Sequence, residues 1–446
     1  MPVSPARAAA FEILLRAQRD QSYASELLHS ERNAKLSPGD HGLATELVMG
    51  VLRWRSLLDQ KIAAASSQEL QRLDLEVLTA LRLGIYQMQF LSRIPAHAAI
   101  FESVEIVKAA RKRSAAPFVN AVLRKASLSP RVDTAPEIRN AESAQSLAAE
   151  SAHPEWLVAR WIESFSLATA RQICRHDQTV PPTVIHVQES ATAAELVQAG
   201  IQLSPGLLLR SARRVQSGDV TKTEAHRDGR VSIQDEASQL VALLLGRGQK
   251  ILDCCAAPGS KTALLAKQNP HARIFAADLH PHRARLLRER IGSSSVHVLA
   301  GDAHYPPFKA GFDRILADVP CSGTGTLARN PEIKWRLTAD DLLDLQKRQI
   351  AILQSTLPLL APGGRLLYST CSLEREENDA VVETVLAKES GFTVIDCRAH
   401  LEELYRSGEL VWENYDSLLH GPYLRTVSGA HPCDGFFAAV MERRAT

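Results

Sequence analysis

Several patterns that place a chain in a common class of protein are missing from these 446 residues. The seven cysteines form no C-x-x-C pair, so we expect no zinc site and no other metal. No apolar run approaches the length of a membrane span, and the first residues lead into no signal-peptide core. An odd number of cysteines without scaffold-like spacing is typical of free thiols in a reducing compartment. We therefore expect a cytoplasmic protein that contacts no membrane.

Two common phosphate-binding loops are missing as well. The G-x-G-x-x-G pattern does not occur, which argues against a dinucleotide-binding fingerprint. Lys261 and Thr262 resemble the end of a Walker A loop, but the residue before Lys261 is Ser260 and not glycine. A loop of small residues that contains Gly259 is nevertheless present at 253–262. Small residues let the chain turn tightly and let a ligand approach the backbone.

Length and residue patterns divide the chain into four parts. A chain of 446 residues is too long for one compact core. Apolar residues at helical spacing predict an all-α domain over 1–130. Prolines followed by a polar run predict a linker over 131–150. Mixed patterns predict a small α+β subdomain over 151–240, with strands at 183–187 and 207–209, followed by a larger domain over 241–446.

The last part, 241–446, alternates between strand-like and helix-like segments. This alternation predicts an α/β fold with a doubly wound, mostly parallel sheet. Such sheets bind ligands at the carboxyl ends of their strands, so the loops there are the place to look for chemistry. The candidate strands are 250–254, 272–277, 296–299, 312–317, 364–368, 392–395 and 436–441.

Basic residues are concentrated in 1–130, although the net charge of the whole chain is only +2. That part has 17 Lys or Arg residues against 12 Asp or Glu residues. Arg111, Lys112 and Arg113 are adjacent and have two interpretations, a solvated helix end or a grip on nucleic-acid phosphates. Composition alone leaves both interpretations open.

An aspartate follows each of three successive strands in the predicted sheet. Asp278 is placed to accept hydrogen bonds from two ribose hydroxyls, and Asp302 to accept one from an adenine amino group. Asp318 ends the next strand. Any one of these residues is equally typical of a turn or a helix cap. Their succession favours a cationic sulfonium ligand that carries a ribose and an adenine.

Two cysteines, Cys321 and Cys371, also follow neighbouring strands and are expected to face one cleft. A thiolate that adds to carbon 6 of cytosine makes carbon 5 nucleophilic enough to accept a methyl group. A second polar group, such as the other thiol, assists the loss of the carbon 5 proton and of the thiolate. Asp318 is the candidate to hold the N3 edge of the ring. Lys261 is the candidate cation to favour the thiolate of Cys371.

These segments together resemble the RNA cytosine-C5 methyltransferases of the Sun or RsmB group. The resemblance implies a Rossmann-like class I methyltransferase fold with a doubly wound seven-stranded sheet and S-adenosyl-L-methionine as the cofactor. This chain departs from the family pattern at Ser260, where glycine is usual, and at Val319, where alanine is usual. The matching segments are 255–261, 318–326, 330–331, 334–336, 369–372 and 434–437.

The resemblance also implies roles for particular residues. Cys371, in a Thr-Cys-Ser segment, would be the nucleophile, and Cys321, in a Pro-Cys-Ser segment, would assist product release. DNA cytosine-C5 methyltransferases use the Pro-Cys thiol instead, so the presence of both cysteines points to RNA. Implied cofactor contacts are Cys255, Ala256, Ala257, Pro258, Gly259, Ser260, Lys261, Asp278, Asp302 and Asp318.

The part at 1–130 resembles the NusB-like RNA-binding domain at 40–53, 93–100 and 118–124. That domain together with a methyltransferase is typical of the bacterial enzymes that modify 16S rRNA. We therefore expect a monomer that methylates carbon 5 of a cytosine in looped or single-stranded 16S rRNA, since the base must be splayed out to react. Two alternatives stay open: the same chemistry on tRNA or 23S rRNA, and a non-catalytic RNA-binding ribosome assembly factor. Intact Cys321, Cys371 and Asp318 argue against the second alternative.

Overall fold

The computed structural model describes residues 3–20, 22–129, 138, 141–187, 189–291 and 293–445. The chain divides into two compact units. Unit 1 comprises Met1–Val180 and Leu327–Arg336, and unit 2 comprises Pro181–Thr326 and Leu337–Thr446. Across these described ranges, no helix combines the length and the apolar character that crossing a membrane would require.

Unit 1 is built from helices in its described residues, as its apolar periodicity predicts. They are α1 (Pro5–Arg19), α2 (Ala24–Leu28), α3 (Pro38–Arg53), α4 (Arg55–Ala65), α5 (Leu75–Phe90), α6 (Ala96–Ala109), α7 (Ala116–Ala126), α8 (Ala144–Ser151), α9 (Glu155–Ser164) and α10 (Leu167–Asp177). The most enclosed of them is α5, whose residues from Thr79 to Gln89 are all buried. The hydroxyl of Ser37 begins α3 by accepting a hydrogen bond from the Asp40 N–H at 3.1 Å.

The region predicted as a linker, 131–150, is only partly described. Residues 131–137, 139 and 140 lie outside the described residues. At 144–150 the structure differs from the prediction, because α8 occupies this stretch. Ser143 Oγ accepts the Ser146 N–H at 3.2 Å, and Ser146 Oγ accepts the Ser143 N–H at 3.1 Å. A serine-rich segment is as polar as a linker, yet here it supplies both halves of a capping box. The two helices that follow, α9 and α10, belong to unit 1 and not to the subdomain predicted over 151–240.

A ten-residue segment from the second half of the chain, Leu327–Arg336, packs within unit 1. Its Lys334 is fully buried and donates hydrogen bonds to the carbonyl oxygens of Arg53 and Ala152, both at 3.0 Å. Trp335 donates its indole N–H to the carbonyl oxygen of Leu52 at 2.6 Å. Burial lowers the pKa of Lys334 to about 7. Lys334 and Trp335 therefore stabilise the packing of unit 1 through these hydrogen bonds.

Unit 2 begins with a small antiparallel sheet that has four strands in the described residues, in the order β2-β3-β1-β4. The predicted strand at 207–209 is wrong, since Leu209 makes only an isolated bridge to Leu410. Consecutive N–H groups of Leu207, Leu208 and Leu209 instead donate to the buried carboxylate of Glu236, at 3.1, 2.7 and 2.9 Å. The elements are β1 (Thr183–Val187), α11 (Ser190–Gln198), β2 (Gln202–Pro205), β3 (Ala212–Ser217), α12 (Glu224–Arg227) and β4 (Val231–Ile233).

The larger sheet of unit 2 has an α/β architecture, as predicted. Its elements are α13 (Glu236–Leu245), β5 (Lys250–Asp253), α14 (Ser260–Gln268), β6 (Arg273–Asp278), α15 (Pro281–Ile291), β7 (Val296–Ala300), β8 (Phe312–Asp318), α16 (Ala339–Thr356), β9 (Leu360–Thr370), α17 (Asp379–Leu386), β10 (Phe392–Ile395), α18 (Cys397–Arg406), β11 (Leu419–His420), β12 (Tyr423–Thr426) and β13 (Phe436–Arg443). The seven predicted strands are all present, and the hairpin β11–β12 brings the described sheet to nine.

The order of strands in this sheet is β11-β12-β13-β9-β8-β5-β6-β7, and β10 also pairs with β13. The five strands from β9 to β7 run parallel, and β13 is antiparallel to β9. Alternate residues along each strand enter different cores. Ile251 and Leu316 pack in one cluster with α13, while Leu252 and Ile315 pack in another with α16 and α17. Burial of both faces explains why these strands are apolar throughout and not alternating in polarity.

Candidate active site

The predicted site residues lie at the carboxyl ends of five neighbouring strands of unit 2. The residues at 255–261 lie in the loop after β5 and in the first two positions of α14. Asp278 is the last residue of β6, Asp302 follows β7, and Asp318 is the last residue of β8. Cys321 follows β8 and Cys371 follows β9. The parallel pairing of β5, β6, β7, β8 and β9 thus brings all of them to one edge of the sheet.

The loop after β5 is joined directly to the end of β6. The Ala257 N–H donates to Asp278 Oδ2 at 3.2 Å, and the Ala256 N–H donates to the carbonyl oxygen of Ala277 at 2.8 Å. Gly259 has a φ of +108°, and a Cβ at this position would lie 2.4 Å from Leu287 Cδ1. Ser260 is the first residue of α14, so the departure from glycine falls on ordinary helical backbone. The position of this loop that requires glycine is therefore Gly259.

We expect Gly259→Ala to distort this loop. A side chain at positive φ costs about 1–2 kcal/mol, and the contact with Leu287 adds to that cost. The melting temperature should fall, and the affinity for S-adenosylmethionine should fall roughly tenfold, the equivalent of about 1.4 kcal/mol. Thermal unfolding and titration calorimetry measure the two effects. Gly391→Ala is the control, because a Cβ there meets nothing within 4 Å; equal losses in both variants would contradict the prediction.

Asp302 is more exposed than Asp278 and is held by its neighbour. Its Oδ1 accepts the His304 backbone N–H at 2.9 Å and lies 2.7 Å from His304 Nδ1. The hydrogen bond from the His304 backbone, followed by the one from its ring, lowers the pKa of Asp302. The Gly301 N–H donates to the carbonyl oxygen of Asp278 at 3.0 Å. Both carboxylates therefore lie at adjoining strand ends.

Asp253, the last residue of β5, is a buried carboxyl that sequence reasoning gave no role. Thr262 donates its hydroxyl to Asp253 Oδ2 at 2.6 Å. The other oxygen, Oδ1, is buried without a hydrogen-bond partner among the described residues. Burial raises the pKa of Asp253 to about 7, and the charge of Asp318 adds to this effect.

This raised pKa predicts a pH-dependent stability. An exposed aspartate has a pKa of about 3.9, so between roughly pH 4 and 7 the folded protein holds a proton that the unfolded chain has released. The contribution of Asp253 to stability therefore falls as the pH rises through that window. We expect Asp253→Asn to lack this fall. The melting temperature of the variant, measured relative to that of the wild type, should therefore rise between pH 5 and 8. Thermal unfolding across that range tests it, with the exposed Asp340→Asn as control; parallel curves for wild type and Asp253→Asn would contradict it.

The two cysteines after β8 and β9 form a close pair. Their sulfur atoms are 3.2 Å apart, and the Cys371 N–H donates to Cys321 Sγ at 3.3 Å. Both are free thiols and partly exposed. The hydrogen bond with Cys371, then burial, then the neighbouring negative charges raise the pKa of Cys321 well above its ordinary value. The other five cysteines are also free.

Asp318 lies between Lys261 and the end of β9. Its Oδ2 accepts a hydrogen bond from Lys261 Nζ at 2.7 Å, and its Oδ1 accepts one from Ser369 Oγ at 2.7 Å. Burial alone would lower the pKa of Lys261, but Asp318 more than offsets it and the pKa is raised. Lys261 is therefore a cation at this edge. Its direct ion-pair partner is Asp318.

A polar framework around the cysteines was not found from the sequence. It comprises Ser322, Gln349, Ser372 and Glu377, all of them buried. These residues are spread over two loops and one helix, and polar side chains of this kind are usually exposed. Their proximity to Cys321 and Cys371 along the chain was the only available signal, and it applied to Ser322 and Ser372 alone.

Comparison with known proteins agrees with this architecture. Residues 240–442 match the family described as 16S rRNA methyltransferase RsmB/F, and residues 4–127 match the NusB family. A probable ribosomal RNA small subunit methyltransferase B of Bacillus subtilis is 36% identical over 88% of this chain and 90% of its own. Ribosomal RNA small subunit methyltransferase B of Vibrio cholerae is 35% identical over 81% of this chain and 86% of its own.

A solved structure shares the fold. The structure of a methyltransferase homolog protein from Pyrococcus horikoshii superposes with a TM-score of 0.54 at 24% identity, and covers 68% of this chain and 100% of its own. The family matches and the identity to two relatives over most of their length identify the group. The chain belongs to the RsmB/F family of S-adenosylmethionine-dependent rRNA methyltransferases and carries a NusB-like N-terminal domain.

Proposed function

We propose that this protein transfers a methyl group from S-adenosyl-L-methionine to carbon 5 of a cytosine in 16S rRNA, through a covalent bond between a cysteine and carbon 6. The observation that carries the proposal is the pair of thiols, Cys321 and Cys371, with sulfur atoms 3.2 Å apart. They lie at the same sheet edge as the loop after β5 and Asp318. One thiol to attack and a second group to assist release are what cytosine-C5 chemistry requires.

The residues of this edge fit the cofactor. Asp278 Oδ1 and Oδ2 each accept one hydrogen bond from backbone, from His280 and Ala257, so each oxygen has a lone pair left for a ribose hydroxyl. Asp302 is partly exposed and suits the adenine amino group. The small residues at 255–261 leave the backbone of the loop accessible. When bound there, S-adenosylmethionine supplies the methyl group.

Cys371 is the proposed nucleophile. Its sulfur adds to carbon 6 of the cytosine, and the pair of electrons displaced from the ring double bond makes carbon 5 nucleophilic. After carbon 5 has taken up the methyl group, its proton passes to water, and the electrons of that C–H bond restore the ring double bond. The bond between carbon 6 and the sulfur breaks at the same time, and the sulfur leaves as a thiolate. Cys321, which carries the raised pKa, is a thiol next to the leaving sulfur and assists this release. Lys261 favours the thiolate of Cys371 through its positive charge.

Asp318 is proposed to hold the pyrimidine. Ser369 and Lys261 orient its carboxylate by donating one hydrogen bond to each oxygen. A carboxylate so placed accepts a hydrogen bond from the amino group at the N3 edge of the ring, and the Lys261 ammonium beside it offsets the negative charge that develops on the ring when the sulfur adds. Because Lys261 contacts Asp318 directly, the cofactor loop and the base-binding carboxyl are coupled through one ion pair.

The assignment to 16S rRNA draws on the N-terminal domain and on the names of the relatives. Unit 1 contains the NusB-like domain, which is proposed to bind RNA. Its Arg111, Lys112 and Arg113 form an exposed or partly exposed basic cluster, suited to phosphates. The related proteins of Bacillus subtilis and Vibrio cholerae are named as small-subunit rRNA methyltransferases.

The test uses tritiated S-adenosylmethionine with three RNAs that lack the modification: 16S rRNA, 23S rRNA and tRNA. Label in 5-methylcytosine of 16S rRNA, found by digestion and chromatography, is the expected result. Label in 23S rRNA or tRNA alone would keep the chemistry and overturn the substrate. Binding of 16S rRNA without label in any of the three would favour the assembly factor.

A further inference from the structure

Glu377 receives hydrogen bonds from the residues that directly follow both cysteines. Its Oε1 accepts the Ser322 N–H at 2.8 Å and its Oε2 accepts the Ser322 hydroxyl at 2.5 Å. The hydroxyl of Ser372 donates to the same Oε2, also at 2.5 Å. Gln349, from α16, donates its amide to Oε1 at 2.9 Å. One carboxylate therefore connects the loop after β8, the loop after β9 and a helix behind them.

Glu377 is buried, although burying a carboxylate costs free energy. The residue is 0% exposed, and its hydrogen bonds come from neutral donors. A buried charge of this kind is costly unless its hydrogen-bonding capacity is filled. Four donors fill most of the capacity of the two oxygens. A neutral residue would pack here at a lower cost, so the charge itself calls for an explanation.

The same carboxylate acts electrostatically on one thiol. Its negative charge contributes to the raised pKa of Cys321. The other titratable groups facing this thiol are Cys371 and the buried Tyr368, whose hydroxyl donates to the carbonyl oxygen of Glu377 at 2.6 Å. The two thiols lie 3.2 Å apart, and the charge of Glu377 acts on Cys321.

We propose that Glu377 is a positioning residue that holds the two cysteine loops together and places its carboxylate beside Cys321, so that the two thiols are chemically unequal. This rests on the proposed function in one respect, since only the cytosine-C5 mechanism gives the inequality a use. A nucleophile must be a thiolate, whereas a group that assists release is useful as a thiol. Two identical side chains in contact differ only through their surroundings, and the charge of Glu377 is one such difference.

The experiment measures the reactivity of each thiol without any methylation. Wild type, Glu377→Gln and Glu383→Gln are treated with iodoacetamide between pH 6 and 10, and the initial alkylation rates of Cys321 and Cys371 are followed by peptide mass spectrometry. Glutamine keeps the shape of Glu377 and removes its charge. Glu383 is a matched control on the next helix, exposed and paired with Arg375.

In Glu377→Gln we expect the apparent pKa of Cys321 to fall by about one unit. At pH 7 the ratio of the Cys371 rate to the Cys321 rate should fall roughly tenfold, with no change in Glu383→Gln. The kcat for methyl transfer should fall about tenfold while the KM for RNA stays the same. An unchanged alkylation ratio in folded Glu377→Gln would overturn the proposal.

Two further outcomes, a Glu377→Gln variant that does not fold and a wild type that methylates no RNA, still leave the proposal testable. If Glu377→Gln does not fold, Ser322→Ala serves in its place, since it removes the 2.5 Å hydrogen bond and leaves the charge. That variant should keep the pH profile of Cys321 and lower kcat; a wild-type kcat would then overturn the positioning role. If the wild type methylates no RNA, the proposed function fails, and the alkylation ratio still decides on Glu377.

Discussion

Cys371→Ala is expected to lose methyl transfer by at least about a thousandfold, because no other group in the site adds to carbon 6 at a comparable rate. The loss should appear in kcat, with RNA and cofactor binding close to those of the wild type. The structure supports this separation, since Cys371 makes no described hydrogen bond to the loop at 255–261. Single-turnover transfer of tritiated methyl to unmodified 16S rRNA measures the effect, and filter binding measures the affinity.

A control must show that the loss does not come from disturbed packing when a cysteine is shortened to alanine. Cys397→Ala removes a fully buried cysteine of the same unit, which is the first residue of α18. It should keep transfer within a few-fold, at a stability cost of about 1 kcal/mol. Transfer by Cys371→Ala within tenfold of the wild type would contradict the assigned nucleophile. Cys321 would then take its place, as the Pro-Cys thiol does in the DNA enzymes.

Cys321→Ala is expected to trap the enzyme on its RNA. Cys371 still adds to carbon 6, but the thiol that lies 3.2 Å from its sulfur is missing when the bond to carbon 6 must break. We expect turnover to fall about a hundredfold or more, with a covalent protein–RNA complex accumulating. Denaturing gel electrophoresis with radiolabelled RNA shows the complex as a band of reduced mobility. Methyl label in that band places the block after methyl transfer.

The double variant Cys321→Ala/Cys371→Ala distinguishes the two roles. It should form no covalent complex, because the complex needs the sulfur of Cys371. A complex that persists in the double variant would mean that another nucleophile is involved. If Cys321→Ala turns over like the wild type without a trapped complex, Cys321 has no part in release.

Much of the methyltransferase fold could be read from local patterns. The predicted strands at 250–254 and 312–317 correspond to β5 and β8, because apolar runs bounded by polar loops occur where a strand is buried on both faces. The site residues Asp278, Asp318 and Cys371 each end or follow a strand, so their positions along the chain predicted a common edge. The chemical type of a residue and its place after a strand were sufficient to predict which residues lie at this edge.

Other features were not predicted because a particular hydrogen bond, which the residue types alone did not reveal, decides the local conformation. The segment at 207–209 is apolar enough for a strand, but the buried carboxylate of Glu236 takes its N–H groups. The serine-rich stretch at 144–150 is as polar as a linker and forms α8 through its own capping box. In both places a hydrogen-bonding partner, not residue propensity, determined the conformation.

The sequence by itself determined the class of fold, the order of its strands along the chain, and the acids and thiols that follow them, because these depend on periodicity and residue type. The tertiary structure alone decided how those groups are charged and oriented. The 3.2 Å between Cys321 and Cys371, the pairing of Lys261 with Asp318 and the burial of Glu377 all arise where separate strands and loops converge. Hydrogen bonding and burial set proton affinities, and both exist only once the chain has folded.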